Sequence, residues 1–167
     1  LDQLLKTSNP PISLPSDVVL GLLPMFHVYG LNCVLSMSVR TGATVVLIDE
    51  FNPGEVLEQI RQYSITYVPV APPVISAWAG LDSLAEALAS VRIIVSGASA
   101  LDPDLAAGFF NLSGHPVEQG YGLTETSPVL TTTIGDGRPP GELPTSGSVG
   151  RPLSGVEIQL RDLTGRI

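Results

Sequence analysis

Three shortages limit what this chain can be. Cysteine occurs once, at Cys33, so no disulfide can form within the 167 residues. That thiol lies in an apolar run and reads as a small buried hydrophobe rather than a nucleophile. Basic residues are scarce: 8 Lys and Arg stand against 16 Asp and Glu, giving a formal net charge of −8. Binding a phosphate backbone needs clustered cations, whereas Arg138, Arg151, Arg161 and Arg166 are spread along the tail. Nucleic acid is therefore excluded as a partner. Finally, no apolar run is long enough to cross a bilayer. The nearest, residues 20–39, is interrupted by Pro24, His27 and Asn32. No signal-peptide pattern is present, and a reducing cytoplasm is the expected location.

Charge of either sign is also thin, at 14% of residues against 44% hydrophobic. So low a fraction suggests that part of the surface normally faces something other than water. The chain starts at Leu1 rather than methionine, and Ile167 follows a turn-like Thr164-Gly165. The expectation is a piece of a longer protein, whose remainder is its first partner. An exposed cut face could also let it self-associate as a homodimer. A length of 167 residues suits one domain with a real core.

What is present alternates. Residues 1–16 are polar and proline-rich and read as a surface lead-in. Residues 17–23 are almost wholly apolar and end at Pro24, the mark of a buried strand. Apolar positions at helical spacing fill residues 26–39, and Thr41-Gly42 closes that helix. Strands are expected at residues 43–48, 65–70, 91–95 and 116–119. Between them, Asn52-Pro53 opens a helix to Tyr63, Pro72-Pro73 opens one over residues 74–79, and another short helix covers 81–89. Asp102-Pro103 caps a further helix reaching Asn111. Trp78 lies on an amphipathic helix and is most simply core. Alternation with short connections predicts an α/β fold with a mostly parallel sheet covered by helices on both faces. After a strand at residues 129–134 the character changes to a glycine- and proline-rich loop. Residues 156–160 alternate apolar and polar like an exposed antiparallel strand. The division expected is a parallel α/β subdomain over 1–134 and the start of a small β-rich subdomain over 135–167.

One stretch looks built for chemistry: Glu118-Gln119-Gly120-Tyr121-Gly122-Leu123-Thr124-Glu125-Thr126-Ser127-Pro128. Glycines let a backbone turn tightly and approach a ligand. A tyrosine between them can present its ring to a planar base. Thr124 can donate to a phosphate oxygen, and Glu125 can offer a hard oxygen to Mg²⁺. The same stretch could be an ordinary turn between strand and helix, with Thr124 or Ser127 as its cap. Its company decides between these readings. In an open parallel sheet, ligands gather beyond the carboxyl ends of the strands. His27 follows the first strand, Val70-Ala71-Pro72-Pro73 the third, Ser96-Gly97-Ala98-Ser99 the fourth, and the glycine-flanked tyrosine the fifth.

The combination resembles the adenylate-forming superfamily of acyl-CoA and aryl-CoA ligases, luciferases and peptide-synthetase adenylation domains. The resemblance rests on Leu23-Pro24-Met25-Phe26-His27-Val28-Tyr29-Gly30, Ser96-Gly97-Ala98-Ser99-Ala100-Leu101, Gln119-Gly120-Tyr121-Gly122-Leu123-Thr124-Glu125 and Gly147-Ser148-Val149-Gly150-Arg151-Pro152. It runs over nearly the whole chain and implies a ligase. A fatty or aromatic carboxylic acid would attack the α-phosphate of ATP, pyrophosphate would leave, and coenzyme A would displace AMP from the acyl-adenylate. Thr124, Glu125 and His27 would be the catalytic set, with Glu125 on Mg²⁺. Gly97, Ala98, Ser99, Gln119, Gly120, Tyr121, Gly122 and Thr124 would hold the nucleotide. His27, Tyr29, Val70, Pro72 and Gly97 would line the acid pocket.

The resemblance also implies what lies elsewhere. The family's phosphate loop with its lysine falls upstream, and the ribose-binding aspartate, hinge and small domain with a catalytic lysine fall downstream. The piece alone is therefore expected to be inactive. Ala100 stands where many relatives have proline. Two other readings stay open: an amino-acid adenylation domain, for which no acidic amino-group anchor is evident, and a non-catalytic nucleotide-binding or assembly module, against which Thr124 and Glu125 speak. A serine hydrolase is disfavoured, because neither Ser96 nor Ser99 sits in a Gly-x-Ser-x-Gly elbow.

Overall fold

The computed structural model describes residue 5, residues 11–139 and residues 141–166. Seven strands form one sheet in the order β2-β1-β3-β4-β5-β6-β7. They are β1 (Val18–Gly21), β2 (Thr44–Leu47), β3 (Tyr67–Val70), β4 (Ile93–Ser96), β5 (Val117–Gly122), β6 (Val129–Thr132) and β7 (Arg151–Pro152). The pairs β1 with β2, β1 with β3, β3 with β4 and β4 with β5 are parallel. β6 and β7 add antiparallel to that sheet. All four residues of β3 and of β4 are buried, whereas β2 at the margin exposes Thr44 and Leu47. Continuous apolar runs become central strands because helices cover both faces.

On one face lie α2 (Pro53–Gln62), α3 (Pro72–Trp78), α4 (Leu84–Ala87) and α5 (Pro103–Ser113). Two of these starts, those of α2 and α5, follow from side chains at the first turn. Asn52 Oδ1 accepts from the amides of Gly54 and Glu55 at 3.1 and 3.3 Å, and Asp102 Oδ1 from Asp104 and Leu105 at 2.9 and 3.0 Å. Each is followed by a proline whose missing N–H costs nothing there. Trp78, Phe109, Ile60 and Ile94 fill the core on this face, and Trp78 Nε1 donates to the Pro53 carbonyl at 3.2 Å.

The other face carries a π-helix (Tyr29–Ser36) that runs directly into α1 (Met37–Thr41). The apolar spacing predicted one helix from residue 26. The chain instead turns through residues 24–28 first and then winds wider, with Ser36 Oγ bonded to the Leu31 carbonyl five residues back. Gly42, in the left-handed region at φ 81, ends α1 as expected. Ile12, Val19, Tyr67, Val95 and Met37 pack beneath this helix.

Three expectations need correction. The lead-in is not all surface: residues 1–4 and 6–10 lie outside the described residues, but Ile12 and Ser13 are buried. β5 does not stop at Gln119 but continues through Gly122, because β6 supplies a second ladder. Residues 156–160 form no strand. Alternation makes a strand only where a neighbour offers backbone hydrogen bonds, and no described segment pairs with them; Ile158 and Leu160 are exposed.

One polar cluster ties the amino ends of three strands. Asp17, just before β1, is 3% exposed. Its carboxylate accepts from Arg92 Nη2 at 2.6 Å, from Thr66 Oγ1 at 2.8 Å and from the Leu14 amide at 2.7 Å. Arg92 also reaches the carbonyls of Pro11 and Ile12 at 3.0 and 3.1 Å, pinning the lead-in across the sheet. Burial pushes the Asp17 carboxyl up, but the Arg92, Thr66 and Leu14 bonds outweigh it and hold the group below 3.8. A depressed folded value contributes stability above the unfolded value, and that stability is lost as pH falls through the folded one. We expect Arg92→Ala to cost about 2–4 kcal/mol in urea unfolding at pH 7, since it strands a buried carboxylate. The penalty should shrink in acid, as protonation neutralises the stranded carboxylate.

Candidate functional site

A cavity of about 280 Å³ opens at the carboxyl ends of the strands, where the crevice of an open α/β sheet is expected. The segment after β1 supplies one wall through His27, Val28, Tyr29 and Cys33. β3 and β4 supply the floor through Tyr67 and Val95, and the β4 loop adds Ser96, Gly97 and Ala98. β5 and the turn after it form the opposite wall through Gly120, Tyr121, Gly122, Leu123, Thr124 and Glu125, backed by Val129 and Thr132 of β6.

Each wall is held by identifiable contacts. Tyr29 is buried, and its hydroxyl donates to the Val95 carbonyl at 3.0 Å, stapling the π-helix to the sheet. The Tyr29 amide donates to His27 Nδ1 at 3.2 Å. With Nδ1 accepting that bond, Nε2 is the nitrogen left to donate from this exposed ring. Gly97 leaves little room: a β-carbon would stand 3.0 Å from Tyr29 Cε1 and 3.2 Å from Cζ.

The turn over the cavity is short. Thr124–Thr126 form one 3₁₀ turn. Thr126 Oγ1 accepts from the Leu123 amide at 2.9 Å and lies 2.9 Å from the carbonyls of both Leu123 and Pro128. Asn32 Nδ2, from the π-helix, donates to the Ser127 carbonyl at 3.3 Å. With Thr126 and Asn32 carrying the turn, the exposed side chains of Thr124 and Glu125 bond to no other described residue. Half-exposed Tyr121 presents its ring beside them.

The structure thus gathers His27, Tyr29, Gly97, Ala98, Gly120, Tyr121, Gly122, Thr124 and Glu125 around one space. It places the remaining sequence candidates elsewhere. Val70 is buried in the core under α2–α5, on the opposite face from Tyr67. Pro72 is buried at the start of α3, and Ser99 is exposed on the outer side of the β4 loop. Gln119 is buried within β5, with its amide donating to Thr133 Oγ1 at 2.8 Å.

Among the lining residues not singled out from sequence for this space are Cys33, Tyr67 and Val95. Burial pushes the Cys33 thiol up to about 12. Burial, reinforced by neighbouring Cys33, also raises the Tyr67 phenol well above its ordinary value. The Tyr67 hydroxyl and Ser96 Oγ are buried with no hydrogen-bond partner among the described residues. Ser96 pairs in register with Val70 and shares its side of the pleat. The signal for Tyr67 was its place in β3: one polar-tipped ring in an otherwise apolar strand, three residues before Val70. No group of three or more His, Cys, Asp or Glu side chains among the described residues could cage a metal ion. No helix among them is long and apolar enough to cross a membrane.

Comparison with known proteins agrees with this geometry. Residues 3–167 match the model of the AMP-binding enzyme family, and the chain belongs to that family. It is 38% identical over 163 residues to 4-coumarate–CoA ligase 3 of Arabidopsis thaliana, covering 95% of this chain and 29% of that enzyme. Among solved structures, ATP-bound MatB from Rhodopseudomonas palustris superposes with a TM-score of 0.85 at 25% identity, over 98% of this chain and 31% of that one. The anthranilate CoA ligase AuaEII, in complex with anthranoyl-AMP, superposes with a TM-score of 0.80 at 27% identity, over 92% of this chain and 29% of that one. The chain therefore spans less than a third of the length of these relatives.

Gly97 gives this site its test. Gly97→Ala should crowd the anchored Tyr29 ring and cost about 1–3 kcal/mol by overpacking. A lower melting temperature together with an altered near-ultraviolet tyrosine signal is the expected result.

Proposed function

We propose, from membership of the AMP-binding enzyme family, that this chain is the acid- and nucleotide-binding part of a longer AMP-forming acid–thiol ligase. A carboxylate oxygen of the substrate attacks the α-phosphorus of ATP, the bond to pyrophosphate breaks, and an acyl-adenylate remains. The sulfur of coenzyme A then attacks the acyl carbon, AMP leaves, and the thiol proton passes to solvent. The observation that carries this reading is a single cavity bordered at once by a donor-bearing histidine, a side-chain-free loop, an aromatic ring and an unengaged Thr–Glu pair.

In this reading Tyr121 stacks on the adenine, and the bare backbone of Gly120 and Gly122 lets the base approach. Thr124 donates to the α-phosphate, and Glu125 offers a carboxylate to Mg²⁺. A single acidic side chain suits Mg²⁺, which keeps several waters and takes its remaining ligands from the nucleotide phosphates. His27 Nε2–H faces the substrate carboxylate. Gly97 and Ala98 leave the passage between nucleotide and acid open, with Ser99 at its outer edge. Gln119, Val70 and Pro72 support the walls from behind. Holding two anions in attack geometry and stabilising charge at phosphorus is the main work of such a site.

The acid is aromatic and compact in this proposal. The cavity falls just below the usual range for small-molecule pockets, and the relatives named above include a 4-coumarate ligase and an anthranilate ligase. A long fatty acid fits the reading less well, and the proposed setting is the cytoplasm. The deciding experiment is carboxylate-dependent pyrophosphate release by the complete parent protein. Glu125→Gln there should lower the rate by on the order of 10² and weaken nucleotide binding in Mg²⁺. An unchanged rate and affinity would remove the metal role.

A further inference from the structure

The innermost part of the cavity is almost entirely apolar. Tyr67, Cys33, Ser96 and Ile12 are its most deeply buried lining residues, at 1%, 2%, 2% and 3% exposure, and Val95 follows at 6%. Two tyrosine hydroxyls lie in this region, and they differ. Tyr29 donates to the Val95 carbonyl, whereas the Tyr67 hydroxyl has no partner among the described residues. A buried hydroxyl without a partner is costly, and each one in a folded protein calls for a reason. Packing does not give it. Val19, Tyr29, Cys33, Met37, Ile93 and Val95 form the cluster around the ring, and phenylalanine would fill the same space without an orphan polar atom. Neither does the ladder, because the register with Val19 and Ile93 rests on backbone hydrogen bonds that a phenylalanine would make equally well.

Register fixes where the ring goes. Tyr67 pairs with Ile93, and both belong to the face under the π-helix, as does Val95 two residues on. Val68 and Val70 point to the opposite core. The Tyr67 ring is therefore held at the floor of the cavity by β3 itself, a central strand with no freedom to slip. Burial keeps the phenol protonated, so it can both donate and accept.

We propose that Tyr67 is a specificity-determining residue whose hydroxyl hydrogen-bonds a polar substituent at the far end of the acyl group, so that the enzyme selects hydroxylated aromatic acids over their plain hydrocarbon counterparts. This rests on the ligase reading above. A pocket that merely excludes bulk discriminates weakly, whereas one with a buried polar atom rejects a substrate that leaves that atom unpaired. The hydroxyl thus acts on the choice of acid and has no part in the bond-making steps.

The test compares a hydroxyaromatic acid with the same acid lacking the hydroxyl, in the complete parent protein, by kcat/KM for pyrophosphate release. The native protein should favour the hydroxylated acid by roughly 10- to 100-fold. Tyr67→Phe should collapse that ratio toward unity by losing activity on the hydroxylated acid alone. A ratio that Tyr67→Phe leaves unchanged overturns the proposal, whether both rates fall or neither does. A native protein that uses the two acids equally well overturns it without any variant, which covers the case of a Tyr67→Phe chain that does not fold. Absence of pyrophosphate release with every acid would instead sink the ligase reading.

Discussion

Everything at the carboxyl edge of the sheet depends on how closely β5 and the start of β6 approach each other. At Gly122 a β-carbon would run into the Pro128 carbonyl, so the two backbones meet where no side chain fits. β5 is parallel to β4 as far as Gln119 and antiparallel to β6 from Gly120 onward. The chain must reverse within residues 123–128, directly over the strand tips. A loop that short cannot wander, and Thr126 and Asn32 fix it from within and from the facing helix. Its two remaining functional groups, on Thr124 and Glu125, are thereby presented to the cavity and left without structural duties. The contact between two backbones is the cause, and the display of a hydroxyl beside a carboxylate is the effect.

Much of this was legible in the sequence, for local reasons. Apolar runs bounded by Gly and Pro gave the central strands, and Asn52-Pro53 and Asp102-Pro103 gave two helix starts to the residue. Motifs at successive strand ends located the cavity before any coordinates did. Where the reading failed, the missing information was non-local. Helical spacing does not distinguish a π-helix from an α-helix over eight residues, because both bury one stripe. Gly120 and Gly122 read as a turn because their role as strand residues needs a partner seven or more positions away. Residues 156–160 carry the alternation of a strand without a ladder to join. Val70, which the resemblance assigned to the acid pocket, lies by alternation from Tyr67 on the other face of the sheet.

The proposed chemistry sets one further condition. Two anions meet in a cavity whose described lining includes no Lys or Arg. The arginines that the fold does use are committed to structure: Arg92 to Asp17, and Arg138 to Glu118 and Asp136 on the far side of β5. Neutralising charge must therefore arrive with the nucleotide's Mg²⁺ or from parts of the parent protein beyond this chain. In the proposed chemistry this chain, which spans less than a third of the length of its relatives, would shape and orient the reactants, and the strongest cations would come from elsewhere.

The buried thiol offers a way to watch this architecture move. Cys33 stands between the π-helix and the cavity floor, 2% exposed and with its proton held up to about 12. A thiol so placed cannot react with an alkylating probe until the helix lifts away from the sheet. Because it is the sole cysteine in the sequence, its rate of capture would act as a clock for the breathing of that one wall. A ligand seated in the cavity would slow the clock, making occupancy readable without any turnover.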